Sequence, residues 1–285
     1  MPNTAAADLI VPEVWGDMSQ AKFTGAVRVG GSSAVMTDDQ LVGQPGDSVN
    51  FPKWSALGEL DDLSEGVAMG TSKMSQTSDK ATIREAGKAV ELTDTAVLTA
   101  LGNANDEAHR QFGILAARKV DAALIAQAQA DESAQGGGNP YKFTTAAGKA
   151  AFTWNDAMVP AIAQFGDEWD PAEFAGVFLN SAQLADAYAD ERFIDASKLG
   201  AATPVTTGQI GVIAGLPVVI TNRIAPGTFM LLKRNSLGLL YKRRPLVETD
   251  RDILKRTTVI ATTVHYAVKR LDDRGVCIGT LAAAA

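Results

Sequence analysis

The sequence predicts an α+β fold with most of its core in the second half of the chain, and three observations carry that prediction. Large apolar side chains (V, I, L, M, F, W, Y) supply 29 of the 82 residues from 151 to 232 but only 19 of the 75 from 16 to 90. Apolar positions recur at helical spacing between about Asn105 and Ala130. A long β-branched run, TTVIATTVHYAVKRLDD (257–273), follows near the end.

In chain order, residues 1–45 read as an irregular arm. Pro2, Pro12, Gly30-Gly31, Asp38-Asp39 and Pro45 break any period, and no core-forming pattern emerges. Residues 46–90 read as a long two-stranded excursion. In GDSVNFPKW (46–54) Val49 and Phe51 alternate as in a strand, and TSKMSQTSDKATIREAG (71–87) is a polar, extended return. Between Thr71 and Ala89 only Met74 and Ile83 are large hydrophobes. A lone two-stranded hairpin is marginally stable in water, so this one must lie on a surface supplied from outside.

Helix is expected from Glu91 onward, with Thr93-Asp94 as the start signal and an interruption at Gly102-Asn103. Ala108, Phe112 and Leu115 then mark one stripe and Val120, Leu124 and Ala128 its neighbour, giving a spine about 40 Å long. SAQGGGNP (133–140) is a loop and the best boundary in the chain. Beyond it, Asn155 or Asp156 is expected to cap a helix to Phe165, FAGVFLN (174–180) reads as a buried strand, and Ser181 as the cap of a helix through Ala189. GVIAGLPVVITN (211–222) and GTFMLLK (227–233) read as further strands with Pro217 at a bend or edge. The 257–273 strand turns at Asp273-Arg274-Gly275 into a short strand, VCIGTL.

Catalytic constellations are scarce, and no enzyme and no cofactor is expected. His109 and His265 sit on different elements, without partners at metal-ligand spacing. The single Cys277 excludes an internal disulfide and multi-cysteine zinc sites. GQIGVIAG (208–215) lacks both phosphate-loop and dinucleotide fingerprints, and GGSSA (30–34) is no nucleophile elbow. Asp38-Asp39, Asp61-Asp62 and Asp272-Asp273 lack calcium-loop alternation and read as solvated turns. The first residues do not read as a signal peptide, and no stretch approaches a membrane span.

A net charge of -7 argues against a general nucleic-acid binder. Charge is uneven: from Lys233 to Arg274 there are 11 Lys or Arg against 5 Asp or Glu. Carboxylates along the same strand favour ion pairing, between subunits, over nucleic-acid contact. Trp15 and Trp54 lie outside the core-building parts, so each indole is buried either by local packing or by another subunit.

The order of arm, polar excursion, spine, inserted mixed domain and returning strand resembles the major capsid proteins of tailed bacteriophages, the Hong Kong 97-like fold. The resemblance is carried by IVPEVW (10–15), GDSVNFPKW (46–54) leading to LSEG (63–66), EAGKAVELTD (85–94), GLPVVITNRI (215–224) and VHYAVKRLDDRGVCIG (264–279). It implies an arm (1–45), an extended loop (46–90), a peripheral domain (91–145 and 241–270) and an axial domain (146–240 and 271–285). It further implies a virion protein, assembled in the host bacterial cytoplasm, whose hexamers and pentamers close into an icosahedral shell around double-stranded DNA without sequence-specific binding.

In that family the loop lies across one neighbour and the arm reaches under another. Trp15, Phe51, Lys53, Trp54, Met74 and Ile83 are then the candidate intersubunit residues. Some members weld subunits through a loop lysine. Lys53, Lys73 and Lys80 lie in the loop here, but no motif identifies their partners, and non-covalent clamping is expected. The chain starts at the arm, so a separate scaffolding protein is expected, with a portal and, as an optional partner, a decoration protein. Two other readings stay open: a nanocompartment shell of the same fold that encloses cargo enzymes, and a cytosolic α+β enzyme.

Overall fold

The computed structural model describes residues 27–39, 42, 46–54, 62, 68–74, 76–99, 103–134, 141–190 and 212–282. In chain order the strands are β1 (Val35–Asp38), β2 (Ser48–Trp54), β3 (Gln76–Thr82), β4 (Arg84–Thr93), β5 (Lys142–Thr144), β6 (Phe174–Leu179), β7 (Val212–Ile213), β8 (Leu216–Ile220), β9 (Thr228–Lys233), β10 (Leu237–Asp252), β11 (Thr257–Arg270) and β12 (Val276–Thr280). The helices are α1 (Asp94–Thr99), α2 (Ala104–Ala134), α3 (Val159–Phe165) and α4 (Ser181–Ala189). The strands form a four-stranded sheet, β1-β10-β11-β4, a six-stranded sheet, β5-β12-β9-β6-β8-β7, and the isolated pair β2-β3.

The six-stranded sheet is covered on both faces, which is why its central strands are unbroken apolar runs. Along β9, Phe229 and Leu231 face a core with Phe152, Phe165, Phe174 and Cys277, while Met230 and Leu232 face the spine-helix core. Period-2 alternation therefore feeds two cores from one strand. The outer core is aromatic: Phe229 takes Phe152 edge-on at 5.1 Å, and Phe165 does the same with Phe174 at 4.9 Å.

The spine helix α2 runs 31 residues, about 46 Å at 1.5 Å per residue. Its buried stripe, with Val120, Leu124 and Ala128, packs on the long antiparallel pair β10-β11, and Phe112 is buried nearer its start. Asn103 caps it, the side-chain oxygen accepting from the Asn105 N–H at 3.1 Å. At its other end the fully buried Arg270 of β11 donates to the Ala128 carbonyl at 3.2 Å. The Arg270 Nε also lies 3.1 Å from Asp273 Oδ1, an ion-pair contact rather than an aligned hydrogen bond.

Several sequence expectations are corrected. Residues 27–38 do contribute to the core: Val29, Ala34 and Val35 are buried, and β1 pairs in parallel with β10. Gly and Ser bracket these residues and hide any period; the partners that bury them lie far along the chain. Strand character continues through Glu91 to Thr93, because β11 pairs with β4 along that whole length; helix begins only at Asp94, with Thr93 Oγ1 accepting from the Ala96 N–H. Thr153, not Asn155 or Asp156, caps the next helix, which opens with a π-turn over 154–158. Asn180, not Ser181, caps α4, in a reciprocal capping box with Gln183. The 211–222 run is a hairpin, β7 and β8, folded at Ala214-Gly215, both with positive φ. The 16-residue β10 escaped the sequence reading because charges fill its second half.

Candidate intersubunit surfaces

The pair β2-β3 is held in register from Ser48 opposite Thr82 to Trp54 opposite Gln76. Among the described residues, its anchoring lies near the root. Ala81 is buried there, the Ile83 N–H donates to the Asp47 carbonyl at 2.9 Å, and the Lys242 ammonium donates to the Gly46 carbonyl. Phe51 is half-buried, its ring edge lying over Gly238 of β10 beside Leu271; an added Cβ at Gly238 would sit 3.2 Å from Phe51 Cε1. Residues 68–74, Gln76, Ser78 and Lys80 are all exposed. Met69 is 70% and Met74 58% exposed. A methionine thioether is flexible and polarisable, suited to a surface that must fit against a partner.

Among the candidate residues, Phe51 and Ile83 are thus half-buried at the loop root and Met74 is exposed farther along it. Lys53 and Trp54 occupy the outer end of β2, with side chains outside the described residues. Trp15, together with IVPEVW and LSEG, lies outside the described residues altogether.

A groove of about 460 Å³ separates the spine helix from the edge strand β4. Leu115 and Ala116 of α2, Ala86 of β4 and Val264 of β11 make it apolar, and Lys88 and Lys119 stand on its rim. The His265 imidazole lies 3.6 Å from the Glu85 carboxylate across the same two strands. Leu115, expected on the buried stripe, is instead 39% exposed in this groove.

The far tip carries residues that the sequence reading missed. The Asp94 N–H donates to the Arg256 carbonyl at 3.0 Å and Arg251 pairs with Asp94 at 2.9 Å, tying α1 to the β10-β11 turn. This brings Leu98, 84% exposed, to the same end as Leu254, 95% exposed, and Ile253. The available signal was an apolar pair, Ile253-Leu254, set between charged residues at a strand turn.

Several cations of the basic segment pair with carboxylates of the same chain. Lys233 pairs with Glu173 at 3.0 Å, Arg244 with Asp39 at 2.6 Å and Arg274 with Glu168 at 3.2 Å. Burial pushes the Cys277 thiol up to about 12, far from a reactive thiolate. Among the described residues no group of three or more His, Cys, Asp or Glu is placed to hold a metal ion. Nor, among them, is any helix long and apolar enough to cross a membrane.

Residues 76–279 match the family model described as phage capsid protein. The chain belongs to this phage capsid family. It is 29% identical over 272 residues to the major capsid protein of Staphylococcus phage phiMR11, spanning 95% of this chain and 93% of that protein. Solved structures agree on fold. One from Mycobacterium phage Che8 superposes with a TM-score of 0.67 at 18% identity, covering 88% of this chain and 90% of that one. The cyanophage Pam1 capsid gives 0.66 at 15% identity, covering 99% and 98%. A virus-like particle from Pyrococcus furiosus gives 0.61 at 9% identity, covering 93% and 98%. The capsid protein has the α+β, Hong Kong 97-like fold and serves as a major structural protein of the phage virion shell. The nearly full-length likeness to a phage major capsid protein disfavours the nanocompartment reading.

Proposed function

We propose that this capsid protein assembles as hexamers and pentamers into an icosahedral shell around double-stranded DNA, with residues 46–90 clamping a neighbouring subunit. One observation carries the reading: an excursion anchored at its root, with every described side chain from 68 to 74 exposed. Such an element gains burial only from another copy. Met74, Lys53 and Trp54 then meet the neighbour, Phe51 and Ile83 brace the loop root, and Trp15 anchors the arm against a further subunit. The α2-β4 groove and the tip around Leu254 are additional contact area. The arm, peripheral and axial assignments (1–45; 91–145 with 241–270; 146–240 with 271–285) follow the same reading.

The chain's net charge is -7, and cations of the 233–274 segment such as Arg244 and Arg274 pair with its own carboxylates; both support enclosing DNA without holding it. A separate scaffolding protein and a portal complete assembly, and a decoration protein fits as an outer partner.

The test replaces residues 55–75 with a short Gly-Ser connection. The subunit is expected to keep its circular dichroism and thermal midpoint while negative-stain micrographs lose the uniform polyhedra formed by the unaltered protein with its assembly partners. Normal shells from the shortened chain would overturn the clamp. Boiled shells are expected to run as single chains in denaturing gels; a ladder of multimers would establish covalent welding instead.

A further inference from the structure

Asp121 is 3% exposed, in the middle of the spine helix, among Ala117, Val120, Leu124 and Ile125. A carboxylate on a buried apolar stripe is costly unless its oxygens are satisfied. Here they are, by three successive backbone N–H groups. Oδ2 accepts from Arg28 at 2.8 Å, and Oδ1 accepts from Val29 at 3.2 Å and Gly30 at 2.9 Å. Consecutive N–H groups converging in this way form an anion nest.

The same turn is closed from inside. Val29 is fully buried, and its carbonyl accepts from the Ser32 N–H at 3.0 Å and the Ser32 hydroxyl at 2.6 Å. Gly30 permits the close approach: an added Cβ would lie 2.9 Å from Val27 Cγ1 and 3.4 Å from Leu124 Cδ1. Immediately beyond, Ala34 accepts from the Leu237 N–H at 3.0 Å and β1 joins β10.

We propose that Asp121 is a positioning residue for shell assembly, fixing from the spine helix the turn 28–30 at which the arm joins the subunit body. The arm's heading toward a neighbour is thereby tied to the spine helix instead of being left to a flexible linker. This rests on the reading above that the arm reaches another subunit. An apolar residue would fill the stripe as well; only a carboxylate accepts all three N–H groups at once.

The decisive variant is Asp121→Asn, which keeps the shape but offers one acceptor oxygen and sets an NH2 donor against at least one N–H. Hydrogen exchange of residues 28–34 is expected to accelerate by about tenfold or more, with trypsin cleavage appearing after Arg28. Exchange in β9 and β12 stays at the unaltered rate, and the yield of regular shells falls by about tenfold. Unchanged exchange at 28–34, or uniform acceleration through β9 and β12, would overturn the assignment, as would regular shells at normal yield. Gly30→Ala disturbs the turn without touching the carboxylate, is expected to behave alike, and decides the matter if the Asn variant does not fold. A chain lacking residues 1–26 separates the two readings. Normal assembly without them removes the arm's role between subunits, whereas the exchange measurement judges the Asp121 clamp either way.

Discussion

The six-stranded sheet and the β2-β3 pair differ in apolar content and in how much of each the same chain covers. In β9, TFMLLK, each of Phe229, Met230, Leu231 and Leu232 is fully buried, because a core lies on either face within the chain. In β3, QTSDKAT, Ala81 at the root is the only buried residue among those described. Apolar density along a strand thus reports how much of its cover belongs to the same chain. On the proposed clamp reading, a capsid subunit uses both kinds of strand, one to be a folded body and the other to hold a neighbour.

The largest effect is expected where cover is complete. Phe229→Ala removes a ring that meets Phe152 at 5.1 Å and Phe143 at 5.8 Å edge-on. A loss of about 3–5 kcal/mol is expected, read as a shift of the denaturant midpoint. A loss below about 1 kcal/mol would mean that the sheet's outer core is not the stabilising centre inferred from its packing.

Gly176→Ala strikes the same sheet through its backbone. Gly176 has φ +152°, and an added Cβ would fall 2.5 Å from the Pro217 carbonyl oxygen on β8. Strain and overlap together predict about 2–4 kcal/mol of destabilisation in the same measurement. The alanine protein melting like the parent would show that β8 yields easily, and would weaken the contrast between a rigid sheet and an adaptable loop.

How much of this was legible in sequence follows the same division. The runs FAGVFLN and GTFMLLK announced β6 and β9 because both faces are covered, and the α2 stripe showed through Phe112, Val120, Leu124 and Ala128. The capsid resemblance was legible because strings from 46–54 to 264–279 keep their order. The arm root was not: Val29, Ala34 and Val35 are too few to make a period, and their burial depends on residues some 90 and 200 positions away, Asp121 and Leu237. Nor was the tip legible, since Leu98 and Ile253-Leu254 come to the same end only once α1 is tied to the β10-β11 turn. Long-range pairing leaves no local signature.

A subtler difference lies in pH. His109, buried near the start of the spine helix, has its pKa lowered, chiefly by desolvation and against the opposing pull of Asp106. The unfolded chain therefore binds this proton more readily than the folded one. Stability is complete above the ordinary histidine range and declines as pH falls below about 6.5. Thermal midpoints at pH 7.5 and 5.5 should show a smaller drop in His109→Gln than in the parent. Glu107, held at about 2 by hydrogen bonds from Arg110 and Gln111, titrates below this window. The raised carboxyl of Asp121 works in the opposite direction, but equally in both proteins, and cancels in the difference. Equal drops would place the acid sensitivity elsewhere.

The smallest effect on the fold is expected where cover is missing. Replacing both Met69 and Met74 with serine removes two exposed thioethers that the subunit does not pack against. Stability of the isolated subunit should change by no more than about 0.5 kcal/mol. If the loop is a clamp, the same double variant should lower the yield of shells at a fixed subunit concentration, because the apolar surface it loses is buried only on assembly. A stability loss comparable to that of Phe229→Ala would mean that the methionines are covered by their own chain. An unchanged shell yield would move the clamp's contacts inward, toward Phe51 and Ile83.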